Sequence, residues 1–302
     1  MPIGNPLVKN KVVRIMLSSE YSELNSWNLN PVSGQFNNNN NKYNANQVRA
    51  AVALSEERKR GWIEAYIQCI SNKMTSEQCV CYRICDTDLL RLMEECEARQ
   101  YVPSTSICFI VTFPKLREIF AAAFRDRIVQ HWICIRIEPL FEARFIAQGD
   151  VSWNCRKNRG TQKAVMALRR DILEVSENYS REAWVGRFDI QSFFMSIDIR
   201  ILEHYAVAFV RKYYKGDDLD LLVYLLTVTI RHRPQTDCIR RGDEELWEQL
   251  PRHKSLFFAE SFRGMPIGNI TSQLLANFYM SFFDEYMISL CMATGARYER
   301  FV

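Results

Sequence analysis

The stretch Gly264-Met265-Pro266-Ile267-Gly268-Asn269-Ile270-Thr271-Ser272-Gln273-Leu274-Leu275-Ala276-Asn277 constrains this chain more than any other. Two glycines around a proline make a tight turn whose backbone can approach a partner closely, because glycine carries no Cβ. From Ser272 to Met292 the sequence is strongly apolar, with polar groups in its first turn, so the stretch reads as a loop feeding a long helix. Such a loop suits packing against a nucleic-acid strand; a simple loop-to-helix junction capped by Ser272 is the plain alternative. Upstream, Trp184 to Ile190 reads as a buried strand, and Phe188-Asp189-Ile190-Gln191-Ser192-Phe193-Phe194 puts a carboxylate at its end beside bulky aromatics.

The 302 residues, 48% apolar, are enough for one large or two modest cores. A net charge of +4 permits a nucleic-acid partner without demanding one. Between Asn154 and Arg170 stand Arg156, Lys157, Arg159, Lys163, Arg169 and Arg170 with no acidic residue among them, a pattern shared by solvated helix faces. No apolar run is long enough to span a bilayer and no secretory leader is recognisable, which predicts a cytoplasmic protein with no membrane partner. The ten cysteines include Cys69, Cys96, Cys134 and Cys291 in apolar, helical-looking stretches, the usage of a reduced intracellular protein. Cys79, Cys81 and Cys85 lack a fourth ligand at zinc-finger spacing.

Along the chain the residues up to 54 differ from the rest. Between Tyr21 and Ala50 ten of thirty residues are Asn, including Asn37 to Asn41, and Asn competes with regular structure through its side chain, so this leader is expected to be poorly ordered. From Glu56 helical spacing begins, with Trp62, Ala65, Tyr66, Cys69 and Ile70 on one face. A helix over Asp86 to Ala98, a strand over Ile107 to Thr112 and a returning strand over Arg117 to Ala123 follow. The patterns then predict helices over Phe124 to Phe141 (stopped near Pro139), from Thr161 to Leu173, from an Asp198 cap to about Tyr213, and over Leu219 to Arg231. Pro234 to Lys254 reads as polar and irregular, and Arg297 to Val302 as another strand. Short strands among helices indicate an α+β architecture.

The candidate chemistry is phosphate handling. A carboxylate such as Asp189 can hold Mg²⁺, with the Ile190 carbonyl as a further ligand, though a lone Asp at a strand end is more often a cap. Phe194, five residues on, stands where it could meet a sugar 2′ position. Arg156, Lys157 and Arg159 beside Gly160 and a helix start suit a triphosphate. Gly264, Pro266, Ile267, Gly268, Ser272 and Gln273 are the candidate contacts to a template–primer. Gly216-Asp217-Asp218 mimics a polymerase metal hairpin but lies before the Gly264 loop, so it is read as a helix stop followed by Asp caps.

In this order the blocks resemble the reverse transcriptases of bacteria and phages. Arg117-Glu118-Ile119, Phe124 to Val129, Cys155 to Thr161 and Lys254-Ser255-Leu256-Phe257 resemble further blocks of that family. Ile267-Gly268 with Ser272-Gln273 is similar to the variant found in the enzymes of diversity-generating retroelements, which copy an RNA template with frequent errors opposite adenine. The resemblance implies right-hand polymerase fingers over 55–184 and a partial palm over 185–302, with an RRM-like antiparallel sheet packed by helices and the thumb absent. It implies two Mg²⁺ ions in the complete enzyme (Mn²⁺ being an alternative), a template RNA and cDNA primer–template, and a small basic helical accessory protein. For Ile267 it implies a looser hold on the template base. Where the family carries aromatic-x-Asp-Asp, this chain reads Arg300-Phe301-Val302, and one carboxylate cannot hold two ions, so the chain is expected to be an inactive N-terminal fragment.

The leader 1–54 resembles instead the variable region of the proteins that such elements diversify, as if a template repeat were read in frame. Translation starting later, near Met74 or residue 55, is the related alternative. Rival readings are a non-catalytic nucleic-acid-binding relic and a retron, group II intron or antiphage reverse transcriptase. A leader acting as a ligand-binding module is the last alternative, and its length is too short for a lectin fold.

Overall fold

The computed structural model describes residues 11–16, 56–71 and 86–301. The expectations for the Asn-rich tract and for Cys79, Cys81 and Cys85 lie outside the described residues. The chain forms two compact units, and each draws on separated stretches of sequence.

The first unit takes 1–25, 141–193 and 273–302. Its sheet has the order β4-β1-β6, from β1 (Lys11–Met16), β4 (Trp184–Phe188) and β6 (Arg300–Phe301). Val12, Val13 and Ile15 give β1 its strand propensity. Both pairings are parallel, Val13 opposite Gly186 and Ile15 opposite both Phe188 and Arg300, where an antiparallel sheet was expected. Parallel neighbours need long crossovers. Here one such crossover carries α4 (Thr161–Val175) from β1 towards β4, and another carries α9 (Ile270–Thr294) towards β6. β4 is not buried as its composition suggested: it is an edge strand, and Trp184, Val185 and Phe188 are half exposed. Phe141 stacks on Phe278 with ring centroids 4.1 Å apart, and Met280, Met287 and Tyr298 close a cluster with Phe193 and Phe283.

The second unit takes 26–140 and 194–272. Helices α1 (Glu56–Ile70), α2 (Asp86–Glu97) and α3 (Phe124–Ala147) contribute to its core, where Trp62 stacks on Trp132 at 5.0 Å. Two strands, β2 (Ser106–Val111) and β3 (Arg117–Ala121), pair antiparallel as expected. The segment read as irregular supplies a third strand, β5 (Cys238–Arg241), parallel to β2, and the short helix α8 (Glu244–Gln249). Its polar composition hid the strand because Ile239, Arg240 and Arg241 are exposed at a sheet edge.

A four-residue helical turn, α5 (Phe193–Ser196), precedes α6 (Ile199–Tyr213), which packs on α7 (Leu219–Arg231) through faces that bury Leu202, Ala206 and Val210 on one and Leu222, Leu225 and Leu226 on the other. Asp198 caps α6 as predicted, accepting from the Arg200 and Ile201 amides. α3 runs past Pro139 to Ala147 rather than stopping there. Pro139 is solvent-exposed while Ile137 and Phe141, two residues to either side, are fully buried, so packing outweighs the missing backbone bond.

No helix among the described residues is long and apolar enough to cross a membrane. Every cysteine among them is a free thiol, including the four on helices, Cys69, Cys96, Cys134 and Cys291.

Candidate nucleic-acid interface

The Gly264 loop is held from beneath by β3. The Phe120 amide donates to the Ile267 carbonyl at 2.8 Å, which treats the loop as a further strand edge. Gly268 has φ +120°, and a Cβ there would stand 2.8 Å from the Phe120 carbonyl oxygen, so only glycine fits. Gly264, at φ +92°, donates its amide to the Ile197 carbonyl, and Met265 donates to Phe194. The same loop is steadied by Arg233, whose guanidinium donates to the carbonyls of Arg263 at 2.7 Å and Gly264 at 3.2 Å. α9 then starts at Ile270, two residues before the expected Ser272 cap.

This geometry sorts the candidate contacts by reach. Gly268 is exposed and Pro266 and Gln273 are part-exposed, while Gly264, Ile267 and Ser272 are buried. Ser272 is 3% exposed, so it positions the helix start rather than facing a ligand. Phe194 is also buried, at the start of the turn that receives the Met265 amide.

Two residues before Phe120 on β3 sits Glu118, 1% exposed, which accepts from the Ser255 hydroxyl and the Leu256 amide at 2.7 Å each. Burial raises its carboxyl above the ordinary range, and those two hydrogen bonds pull it back. The blocks Arg117-Glu118-Ile119 and Lys254-Ser255-Leu256-Phe257, noted separately in the sequence, are therefore joined by one buried carboxylate. Glu118 carried no signal of its own in the sequence beyond membership of its block.

In the other unit, Arg156 does not present its charge to solvent. Its side chain is 1% exposed and bonds Glu142 twice, at 2.7 and 2.9 Å, Asp150 at 2.7 Å and the Ser152 carbonyl at 2.5 Å. Arg159 pairs with the same Asp150 at 2.5 Å and lies over Trp153. The loop from Asp150 to Gly160 is thus built around two arginines sharing one carboxylate, with Asp150, Cys155 and Asn158 in left-handed backbone. Lys157 is exposed. Of the expected triphosphate group, the structure brings Arg156 and Arg159 together at Asp150.

Asp189 is exposed beside Ile190 at the end of β4, and has no hydrogen-bond or ion-pair partner among the described residues. No group of three His, Cys, Asp or Glu among the described residues could hold a metal ion. One carboxylate and one carbonyl do not fill the octahedral shells of two ions, so these residues alone do not fit a two-metal centre. Asp218, the aspartate of the mimic hairpin, sits before α7 but makes no capping bond; it is buried, and binds Arg136 and the Tyr214 hydroxyl at 2.8 and 2.6 Å.

The sequence reading missed a buried polar seam. Asn277, Ser281 and Asp284 follow one another at helical steps along α9, each at most 2% exposed. Asp284 takes two 2.7 Å bonds from Arg300 and one from the Tyr298 hydroxyl. Asn277 accepts from Arg300 and Ser152 and donates to the Asn154 carbonyl. The spacing of three polar residues inside an apolar helix was the available signal.

The chain is 26% identical to Protein YkfC of Escherichia coli (strain K12) over 202 residues, covering 67% of this chain and 43% of that protein. It is 24% identical to Group II intron-encoded protein LtrA of Lactococcus lactis subsp. cremoris over 178 residues, covering 59% of this chain and 24% of that protein. The chain therefore spans less than half the length of these curated relatives. No protein-family model matches it.

Proposed function

We propose that this chain is the template-gripping part of an RNA-directed DNA polymerase, of the kind that makes mutagenised cDNA in diversity-generating retroelements. The observation that carries the reading is the distant likeness to a group II intron-encoded protein, which supports a reverse-transcriptase-like relationship. The Gly264 loop adds physical support: its exposed Gly268 lets a strand approach backbone that β3 holds rigid. The finer assignment rests on Ile267 and Gln273 in that loop. In this reading 55–184 are fingers and 185–302 palm, template RNA and primer are the partners, and Mg²⁺ would be the ion of the complete enzyme. Asp189 would give that ion one ligand. A small basic accessory protein and a cytoplasmic setting belong to the same reading.

What the described residues support by themselves is binding. An RNA–DNA hybrid titrated into the 302-residue chain should bind with an affinity that falls steeply with salt. Gly268→Val, which drives a branched side chain against Phe120 at positive φ, should weaken that binding about tenfold, a shift of roughly 1.4 kcal/mol. Absence of salt-dependent binding by the parent chain would sink the reading. Primer extension is the separate arm: the expected result is binding without extension, and extension with Mg²⁺ would mean that other carboxylates complete the site.

A further inference from the structure

We propose that the strap from Arg252 to Gly264, flanked by Arg200 and Arg233, is a stacking platform for an unpaired nucleic-acid strand. Nothing in the Gly264 loop's own geometry requires it, but it rests on the reading above that the chain handles a template. Phe258 and Phe262, four residues apart on the strap, are each 55% exposed. Each carries a guanidinium over its ring, Arg252 at 4.4 Å from the Phe258 centroid and Arg200 at 4.9 Å from that of Phe262. A half-exposed ring with a guanidinium against it offers a flat face for a base and charge for the backbone that joins the bases.

The backbone is an independent observation. Phe262 has φ +64°, a conformation that a bulky residue rarely adopts. It is fixed there by the Ile199 amide, which donates to the Phe262 carbonyl at 2.9 Å, and by the bridge between Asp198 and Arg263. Strain of this kind persists where surrounding structure over-determines it, and it clusters at ligand clamps. Here the result is an aromatic ring left half in solvent.

Charge identifies the ligand. Arg200 is paired with Asp198 and Arg263 with Glu260. Arg233, Arg252 and Lys254 have no carboxylate partner among the described residues, and Arg233 instead donates to backbone carbonyls of the strap. Exposed aromatic faces beside surplus cations match a polyanion whose units carry π-faces. A duplex could use the cations but keeps its bases stacked away from the rings. Protein interfaces also favour Phe and Arg, so a protein partner is the alternative occupant that the binding test separates.

The test is fluorescence anisotropy with labelled single-stranded RNA, single-stranded DNA and the corresponding duplex against the full 302-residue chain across a salt series. Phe258→Ala and Phe262→Gly should each weaken single-strand binding about five- to a hundredfold while leaving the salt slope unchanged. Arg252→Ala should reduce the slope by about one. Duplex binding should not respond to either Phe variant. Tighter binding of RNA than of DNA would assign the strand to RNA, equal binding to either chemistry. Glycine accepts positive φ, so Phe262→Gly keeps the strap's conformation and guards against simple unfolding. Parent-like single-strand affinity in both Phe variants overturns the platform and leaves a protein partner as the occupant. A parent chain that binds no nucleic acid sinks the platform and the proposed function together, whereas a binding parent with indifferent variants sinks the platform alone.

Discussion

Arg300 is wholly buried and meets Asp284 through two hydrogen bonds of 2.7 Å, while Arg252 stands in solvent with no carboxylate partner among the described residues. Around Arg300, in the first unit, Asn277, Ser152 and Tyr298 close the seam, and only the side-chain nitrogen of Asn154 beside it is left without a partner among the described residues. Around Arg252, in the second unit, Phe258 and Phe262 are half exposed and cations are left without carboxylates among the described residues. A buried charge must be satisfied from within, because desolvation is otherwise prohibitive. A surface charge costs little to leave open, and that openness is what a ligand needs. The number of arginines therefore says little about binding in this chain; their partners decide it.

The sharpest way to break the contrast is Asp284→Ala. It strands the Arg300 guanidinium in a site with no water access, and unfolding in urea should show a loss of about 3–5 kcal/mol. Replacing both residues together, with Asp284→Leu and Arg300→Met, should recover most of it, since the penalty comes from the unpaired charge. A loss below about 1 kcal/mol for the single variant would place Arg300 in contact with solvent and dissolve the distinction between the regions.

The next largest effect concerns Glu299, one residue before Arg300. It is 6% exposed, hydrogen-bonded to Asp171 and receiving the Trp153 indole N–H, with Arg170 nearby on α4. Desolvation pushes its carboxyl up to about 8, and Asp171 is raised by burial as well. Two buried carboxyls in contact are stable only with a proton between them. Because the folded value lies above the unfolded one, the stabilising contribution is complete below about pH 4.5 and is lost as pH rises through about 8. Stability of the parent should therefore fall over that window, and Glu299→Gln should flatten the fall by an amount on the order of a few kcal/mol. Identical pH profiles would mean that the pair is solvated, and the seam less sealed than its burial indicates.

Local physics was legible in the sequence. The β2–β3 hairpin, the Asp198 cap and the helical faces of α6 and α7 each depend on residues a few positions apart. What escaped depends on partners far away along the chain. Arg156 beside a glycine turn reads as a phosphate cradle, yet Glu142 and Asp150 already occupy its donors. Asp218 reads as a cap, yet Arg136 and Tyr214 take its carboxylate. Pro139 reads as a stop, yet the burial of Ile137 and Phe141 carries the helix past it. Trp184 to Ile190 reads as core because Trp184, Val185, Phe188 and Ile190 are apolar, yet the strand lies at a sheet edge. The Gly264 loop was legible because two glycines at positive φ leave little freedom, whereas the tie of Glu118 to Ser255 and Leu256 was not, since a lone Glu carries no spacing.

Phe262→Gly gives the smallest stability change and divides the two regions most cleanly. In the seam, any removal of a side chain should cost stability. On the strap, removing this one should slightly raise it, because glycine accepts φ +64° without the penalty that a Cβ imposes. The relief is partly offset by the greater freedom of glycine in the unfolded chain, which leaves an expected gain of about 0.5 kcal/mol or less in denaturant unfolding. The lost contact with Arg200, on an exposed ring, subtracts little more. A residue whose deletion stabilises the fold is held in place for something other than the fold. If Phe262→Gly instead costs as much as a core truncation, about 3 kcal/mol or more, the ring is structural and the strap belongs with the seam rather than against it.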